Sequence, residues 1–342
     1  MRVLVGFSGG LDSMMTAALL KEAGHTVEGA IVSMHAHTDL FGARDAAEAL
    51  GIPLHVIDAR AAFAQHVVQN FTSEYAAART PNPCIRCNRY VKIGALADYA
   101  AANGFDRFAT GHYARVVEHA GRFCVSVARD KKKDQSYVLW MLPQEMLSRM
   151  LTPLGDYEKQ DVRAMAADRG FAVADKPESQ DICFVPDGDY AAFVTHRIGA
   201  PVPGEFVTAD GRVVGTHKGL LHYTRGQRKR LGIALGEPVF ITDMDPDTNR
   251  ITVAPARELA CDGFTCTDPV FSGISPQENG ASLACLVQLR YNAPLRPVTA
   301  FFDESGVTAR FSSPIPVIPT PGQSAVFYDT DGHVLFGALC EK

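Results

Sequence analysis

Strand-length apolar runs alternate with helix-forming stretches along the first half of the chain. The apolar runs are rich in β-branched residues and predict strands over residues 2–7, 25–34, 52–58 and 105–113. The stretches between them predict helices over residues 13–23, 43–51, 63–79 and 90–103. Repeated βα units of this length predict a parallel sheet with helices on both faces. Ligands of such sheets lie at the carboxyl ends of the strands, so we expect residues 8–13 and 111–113 to meet there.

The pattern changes after about Arg197. Short alternating runs separated by Gly, Pro and Asp-Gly turns replace the helix-forming stretches, as in GAPVPGEFVTADGRVVG. This pattern predicts two small β domains with a boundary near residues 261–268. We therefore expect an α/β protein with a Rossmann-like N-terminal domain, a central β-rich domain and a C-terminal β-barrel, over residues 1–197, 198–263 and 264–342.

Composition narrows the class of protein. The 342 residues are 46% hydrophobic and 21% charged, as in ordinary globular proteins. No apolar run approaches the ~18 residues that span a bilayer, and the chain begins with a strand instead of a signal peptide. We therefore expect a cytoplasmic, reducing location, where eight cysteines do not form a disulfide framework. With a net charge of −5, any RNA partner must be held by local basic patches.

The loop GFSGGLDS, Gly6 to Ser13, follows the first strand and opens the first helix. Gly9 and Gly10 let the backbone approach an anion, and the helix N-terminus offers free N–H groups. Asp12 is a candidate ligand for Mg²⁺ beside the phosphates. Taken alone, the two glycines could also make a plain tight turn. The loop lacks the Gly-Lys-Ser/Thr ending of a Walker A motif, which excludes the usual NTPase loop.

The string SGGLDS resembles the PP-loop signature SGGxDS of the adenylating ATP pyrophosphatases. Further blocks resemble the tRNA-specific 2-thiouridylases (the MnmA/TrmU family) and occur in the family's order along nearly the whole chain. These blocks are TPNPCIRCNRYVKIGAL, ATGHYAR, KDQSYVL, ESQDICFVPDGDY, GLLHYTRGQRKRLGI and VQLRYNAP.

The resemblance implies roles for named residues. Cys87 matches the family's first catalytic cysteine, and Cys183 matches the cysteine that carries a persulfide. ATP would be bound by Gly6, Phe7, Ser8, Gly9, Gly10, Leu11, Asp12, Ser13, Val32 and Gly111. Positions that contact tRNA in the family match Asn82, Pro83, Cys84, His112, Lys133, Asp134, Gln135, Arg290, Tyr291 and Gln323, of which the first three face the target base.

The implied reaction is coherent chemistry. The C2 oxygen of uridine is a poor leaving group, and adenylation by ATP converts it into AMP, a good one. A thiolate or persulfide is the natural nucleophile for attack on C2 at neutral pH. One cysteine delivers sulfur and a second cleaves the S–S bond, which leaves 2-thiouridine and a disulfide. The family's substrate is the wobble uridine of tRNAs for Lys, Glu and Gln, with sulfur from a cysteine desulfurase or a relay protein.

Two departures from the family pattern bear on mechanism. Cys84 stands where many members have Asp, so Cys84, Cys87 and Cys183 could together hold a 4Fe–4S cluster with one open iron. CxxC spacing alone is also compatible with zinc or redox chemistry, so a cluster and a bare persulfide both stay open. The segment from Met34 to Asp39 is shorter than usual and lacks the family's cysteine pair. The contact with the adenine base that the resemblance implies for Val32 belongs to this divergent region.

The remaining cysteines are expected to be small buried hydrophobes: Cys124, Cys261, Cys266, Cys285 and Cys340. The runs DKKKD and TRGQRKRLG could be solvated turns, but their family positions favour RNA contacts. Two other functions compete with thiolation. Another PP-loop ligase would not need Cys87 and Cys183, and a non-catalytic RNA-binding metal module would not need Asp12.

Overall fold

A five-stranded parallel sheet forms the centre of the N-terminal half. The computed structural model describes residues 1–36, 38–171, 182–185 and 188–341. The sheet has the order β3-β2-β1-β4-β7. Its strands are β1 (Arg2–Gly6), β2 (Thr26–Ser33), β3 (Leu54–Asp58), β4 (Arg107–Ala109) and β7 (Met150–Leu151). The chain leaves β1 toward β2 on one side and reaches β4 on the other, so the ends of β1 and β4 flank the crevice where ligands of open parallel sheets bind.

Helices alternate with these strands along the chain, as the sequence pattern predicts. They are α1 (Leu11–Glu22), α2 (Leu40–Leu50), α3 (Arg60–Phe63), α4 (Asn70–Ala76), α5 (Pro83–Cys87), α6 (Ile93–Ala102), α7 (Gln144–Leu147), α8 (Lys159–Asp168) and α9 (Tyr190–Ile198). Two of the predicted long helices contain π-helical turns, at Ala64–Gln69 and Asn88–Lys92. Such turns are frequent at functional sites. No helix in the described ranges is long and apolar enough to cross a membrane.

Two β units follow the α/β part. The first is a four-stranded sheet of order β10-β11-β8-β9, built from β8 (Gly204–Thr208), β9 (Val213–His217), β10 (Val239–Asp245) and β11 (Arg250–Pro255). The second is a closed barrel of order β12-β15-β14-β13-β16-β17. Its strands are β12 (Cys261–Phe271), β13 (Ser282–Gln288), β14 (Arg296–Asp303), β15 (Gly306–Ile315), β16 (Ser324–Tyr328) and β17 (Val334–Cys340). The predicted fold class is therefore confirmed.

An antiparallel hairpin that the sequence pattern did not predict joins the two halves. It consists of β5 (Arg115–His119) and β6 (Arg122–Ser126). The Arg122 guanidinium donates to the carbonyl of Ser272 in the barrel at 2.9 Å. Trp140 is fully buried in a hydrophobic cluster that contains Leu4 of the sheet and Val334 of the barrel. This hydrophobic cluster therefore spans the α/β part and the barrel.

Gly337 on β17 packs directly against the indole ring of Trp140 in this cluster. A Cβ atom there would lie within 2.7 Å of three Trp140 ring atoms. We expect Gly337→Ala to lower the free energy of unfolding by about 1–3 kcal/mol, because overpacking forces the ring and strand apart. Denaturant unfolding measures the loss. In the double variant with Trp140→Phe, the two losses should be less than additive; strict additivity would contradict a direct clash.

Candidate nucleotide and thiol site

The loop after β1 has the geometry of an anion cradle. Gly10 occupies the N-cap of α1 without a side-chain cap, so the first N–H groups of the helix remain available. Ser13 Oγ donates to the Gly10 carbonyl at 2.9 Å and lies 3.4 Å from Ser8 Oγ. Gly9 has φ +74°, and a Cβ there would lie 2.8 Å from the Gly42 carbonyl oxygen. Glycine is therefore required at this turn by both conformation and space.

Asp12, the predicted magnesium ligand, is paired with a lysine. Its two carboxylate oxygens accept hydrogen bonds from Lys159 Nζ at 2.7 and 2.8 Å, and Oδ1 also accepts from Tyr113 Oη at 2.9 Å. Lys159 lies at the start of α8 and is only 7% exposed. The predicted meeting of residues 8–13 with residues 111–113 is confirmed. Any metal ion at Asp12 must compete with a buried ammonium group.

A cavity of about 460 Å³ opens beneath this loop, within the usual range for small-molecule sites. Nine of the lining residues were predicted from the sequence to bind nucleotide or tRNA: Gly6, Phe7, Ser8, Asp12, Ser13, Val32, Gly111, His112 and Gln135. The predicted contacts Gly9, Gly10 and Leu11 shape the loop but do not line the cavity. Met34 and Asp39, from the shortened segment, do line it.

Gly111 closes the inner wall of the cavity. A Cβ atom at this position would lie 2.9 Å from the backbone carbonyl carbon and the Cβ of Asp12. The absence of a side chain therefore lets the end of β4 approach the phosphate loop.

The CxxC pair lies on α5, whose start is well specified by sequence. Asn82 caps the helix, and its Oδ1 accepts a hydrogen bond from the Cys84 N–H at 3.2 Å. Pro83 lies in the first turn of the helix, where proline is favoured. Cys87 is buried, with Sγ 3.7 Å from Met34 Sδ, whereas Cys84 is exposed. Burial raises the pKa of Cys87 to about 11, and partial desolvation of the thiol by surrounding protein atoms raises the pKa of Cys84 although the residue is exposed.

Cys183, the third thiol, lies close to Cys84 and Cys87. Cys183 is exposed, and its charge contributes to the raised pKa values of both Cys84 and Cys87. The Lys92 ammonium acts in the opposite direction and lowers the pKa of both CxxC thiols. Lys92 also lines the cavity. The structure therefore brings the cavity beside the Gly6–Ser13 loop and the three thiols to one end of the sheet.

Known protein families match the chain along almost its whole length. Three family models match consecutive parts of the chain: a tRNA methyl transferase HUP domain over residues 1–187, a tRNA methyl transferase PRC-barrel domain over 191–255 and an aminomethyltransferase beta-barrel domain over 261–339. A solved structure from Methanocaldococcus jannaschii, described as a predicted subunit of tRNA methyltransferase, covers 49% of this chain and 76% of its own at 19% identity, with a TM-score of 0.33.

Two curated proteins match over almost their full length. The tRNA-specific 2-thiouridylase MnmA of Carboxydothermus hydrogenoformans is 43% identical over 100% of this chain and 98% of its own length. The protein of the same name from Chloroflexus aurantiacus is 44% identical over 95% of this chain and 94% of its own. This chain belongs to the tRNA-specific 2-thiouridylase MnmA family. The resemblance found in the sequence motifs is thereby confirmed.

We expect the Cys87 thiol to be protonated and slow to react in the resting protein, because its pKa is raised. A raised pKa keeps the thiol protonated at neutral pH, and only the thiolate reacts with alkylating agents. We expect the iodoacetamide rate at Cys87, followed by mass spectrometry, to rise about tenfold per pH unit up to pH about 11. Lys92→Met should move the inflection higher. A plateau near pH 8.5 would contradict a buried, protonated Cys87.

Of the predicted tRNA contacts of the 2-thiouridylase family, two lie at the cavity. His112 Nδ1 is 2.9 Å from Thr110 Oγ1, and desolvation together with the charge of Lys92 lowers the pKa of His112 to about 3. The imidazole is therefore neutral at pH 7 and can offer hydrogen bonds but no positive charge. Gln135 Oε1 accepts from the Tyr113 N–H at 2.8 Å.

The other predicted contacts lie away from the cavity, and Asp134, Arg290 and Gln323 make hydrogen bonds within the chain. Asp134 accepts from the Ala128 N–H and from Ser136 Oγ, each at 2.6 Å, so both of its oxygens already have internal partners. Arg290 donates to the Arg225 carbonyl at 2.8 Å, and Gln323 donates to the Thr80 carbonyl at 2.8 Å. Both hydrogen bonds join the barrel to earlier parts of the chain. Tyr291 is 42% exposed, and Lys133 lies in the loop before Asp134.

Sequence reasoning missed Lys92 and Lys159. Lys92 lies in the block TPNPCIRCNRYVKIGAL together with Cys84 and Cys87, so the sequence could have indicated a cation close to these thiols. No sequence signal indicated Lys159, because a single lysine at the start of a helix is common. Expected burial is confirmed for three of the remaining cysteines and is wrong for Cys261 and Cys285, which are half-buried.

Proposed function

We propose that this chain is an ATP-dependent tRNA-uridine 2-sulfurtransferase that forms AMP and diphosphate. The observation that carries the proposal is the position of Lys92. Its side chain lines the nucleotide cavity and its charge reaches the thiols of Cys84 and Cys87. An adenylating site and a sulfur-transfer site that share a residue can act in succession on one base.

The first half-reaction is adenylation. The phosphate loop binds the triphosphate through the N-terminal N–H groups of α1 and the hydroxyls of Ser8 and Ser13. The uridine C2 oxygen attacks the α-phosphorus, and diphosphate leaves into the cradle. Lys92 is the cationic group that lines the cavity, and Lys159 neutralises the Asp12 carboxylate beside the phosphates.

The second half-reaction transfers sulfur. The terminal sulfur of a Cys183 persulfide attacks C2, and AMP leaves with the C–O bond electrons. The Cys87 thiolate then attacks Sγ of Cys183, which releases 2-thiouridine and leaves a Cys87–Cys183 disulfide. A thiol reductant restores the two thiols. Cys87 is protonated at rest, so closure of the tRNA complex must first favour its thiolate, and Lys92 is the cation placed to do so.

The candidate cofactors are Mg²⁺ at Asp12 and a 4Fe–4S cluster at the three thiols. Asp12 would hold Mg²⁺ only by sharing its carboxylate with Lys159. Among the described residues the thiols of Cys84, Cys87 and Cys183 do not all lie within 4.8 Å of one another. A tetrahedral zinc site needs sulfurs about 3.8 Å apart, so the three thiols are not preformed for zinc. A 4Fe–4S cluster is a larger group, and the three thiols are its candidate ligands, with iron supplying an open position for sulfide.

The partners follow from the same proposal. The substrate is the wobble uridine of tRNAs for Lys, Glu and Gln, swung out of its stack to reach the thiols. Asn82, Pro83 and Cys84 face the base, and His112, Lys133 to Gln135, Arg290, Tyr291 and Gln323 contact tRNA. Residues 1–197 adenylate and thiolate, while the β units over 198–263 and 264–342 grip the tRNA. A cysteine desulfurase or a relay protein loads the persulfide in the cytoplasm.

The proposal is tested by reconstitution. Unmodified tRNA for Glu is incubated with the purified chain, ATP, Mg²⁺, and a cysteine desulfurase with cysteine, and nucleosides are then quantified by mass spectrometry. We expect 2-thiouridine together with AMP and diphosphate, dependent on ATP. Diphosphate release without thiolation would favour another PP-loop ligase. RNA binding that is unaffected by Asp12→Ala, with no turnover, would favour a non-catalytic module.

A further inference from the structure

We propose that His119, Asp329 and His333 form a binding site for a borderline divalent metal ion such as Zn²⁺ or Cu²⁺, where the β5–β6 hairpin meets the C-terminal barrel. Among the described residues these are the three side chains whose candidate ligand atoms all lie within 4.8 Å of one another. Two imidazole ligands, one of them oriented by a carboxylate, suit zinc or copper and not Mg²⁺ or Ca²⁺.

The fold fixes one half of this cluster. Asp329 follows β16, and its Oδ1 accepts from the backbone N–H groups of Asp331 and His333 at 2.9 and 2.8 Å. Its Oδ2 lies 2.7 Å from Nδ1 of His333. A carboxylate that holds Nδ1–H leaves the Nε2 lone pair free for a metal, which is the carboxylate–histidine arrangement found behind many zinc ligands. Asp329 is therefore the orienting group, and His333 Nε2 is the first ligand.

The other half comes from the hairpin. His119 ends β5, and its ring stacks on that of His333 with centroids 4.4 Å apart and planes inclined at 24°. Nearly parallel rings direct their lone pairs side by side, so binding requires His119 to turn about χ2. The ring is partly exposed, which leaves it room to turn. Water completes the coordination of the bound ion.

The site lies at a junction that is already ordered. Ser126 and His333 form an isolated antiparallel bridge, and the Val127 N–H donates to the Gly332 carbonyl at 2.9 Å. The two ligands therefore start close together, and little conformational entropy is lost when a metal joins them. A bound ion would clamp the hairpin of the α/β part to the barrel and stabilise the folded protein.

The experiment must remove competition from the thiols of the proposed active site. We would use the full chain with Cys84→Ser, Cys87→Ser and Cys183→Ser as the background and titrate it with Zn²⁺ by calorimetry. We expect one Zn²⁺ per chain and a zinc-dependent rise in Tm. Adding His119→Ala or His333→Ala should weaken binding at least tenfold and abolish the rise. His25→Ala, which removes a histidine elsewhere in the chain, should change neither.

A spectroscopic readout separates a built site from loose surface binding. Cu²⁺ bound to the same background should show two equatorial nitrogen ligands by electron paramagnetic resonance, and the His119→Ala variant should show one. Circular dichroism checks that each variant is folded. Absence of zinc binding in the background protein, or equal binding and equal nitrogen count after His119→Ala, would overturn the proposal. The readouts do not depend on tRNA thiolation.

Discussion

Replacing Cys87 by serine should stop formation of free 2-thiouridine and trap the enzyme on its substrate. In the proposed sequence the persulfide sulfur on Cys183 first joins C2, and only Cys87 then cleaves the S–S bond. Serine cannot perform that step, so a tRNA–protein adduct linked through Cys183 should accumulate. We expect turnover to fall about a thousandfold or more, as when a nucleophile is lost. A denaturing gel that shows a complex released by dithiothreitol measures the adduct.

The companion variants distinguish the roles of the thiols. Cys183→Ser should lose both turnover and the adduct while it retains tRNA-dependent release of diphosphate. Cys285→Ser is the matched control, because this barrel thiol is half-buried, with a pKa raised to about 12 by burial, and is no part of the site. It should retain full activity. Normal turnover by Cys87→Ser would contradict the disulfide step.

Cys84→Ser decides between a persulfide and a cluster. Cys84 is exposed beside the buried Cys87, so its loss should not damage the fold. If sulfur travels as a persulfide, we expect protein purified without oxygen to hold no iron and the variant to keep most of its activity. Four irons and four sulfides per chain, both lost together with activity in Cys84→Ser, would establish the cluster instead.

The parts of the site that sequence predicted are those set by local pattern. The phosphate loop follows from a strand, two glycines and a helix start within eight residues, and the structure places it at the end of β1. The alternation of strands and helices likewise predicts the parallel sheet and the crevice beside Gly111. The Asn-Pro start of α5 is a local capping signal as well.

What sequence did not predict depends on contacts between distant residues. Lys159 is separated from Asp12 by 147 positions, and only the packing of α8 against α1 brings the two together. Each carboxylate oxygen of Asp134 accepts a hydrogen bond within the chain, from the Ala128 N–H and from Ser136 Oγ, and the sequence pattern did not specify either partner. The β5–β6 hairpin and its histidine cluster depend on a barrel that forms some 200 residues later.

Lys159→Met should weaken ATP binding strongly, because the substitution leaves Asp12 as an uncompensated carboxylate in a phosphate site. The ammonium lies 2.7 and 2.8 Å from the two Asp12 oxygens and is largely shielded from water. Removing one partner of a buried pair costs up to 3–5 kcal/mol, but Asp12 is 35% exposed, so about 2 kcal/mol is reasonable. That corresponds to a rise of about thirtyfold in KM for ATP, measured by diphosphate release.

The double variant tests whether charge is the cause. With Asp12→Asn added to Lys159→Met, the repulsion on the triphosphate disappears and the KM for ATP should recover most of its loss. If Asp12 also holds Mg²⁺, kcat should stay low in the double variant, since an amide is a poor replacement for a carboxylate ligand. Lys21→Met, at the far end of α1, is the control and should leave KM unchanged. A KM for ATP that Lys159→Met does not alter would mean that the Asp12–Lys159 pair serves only the fold.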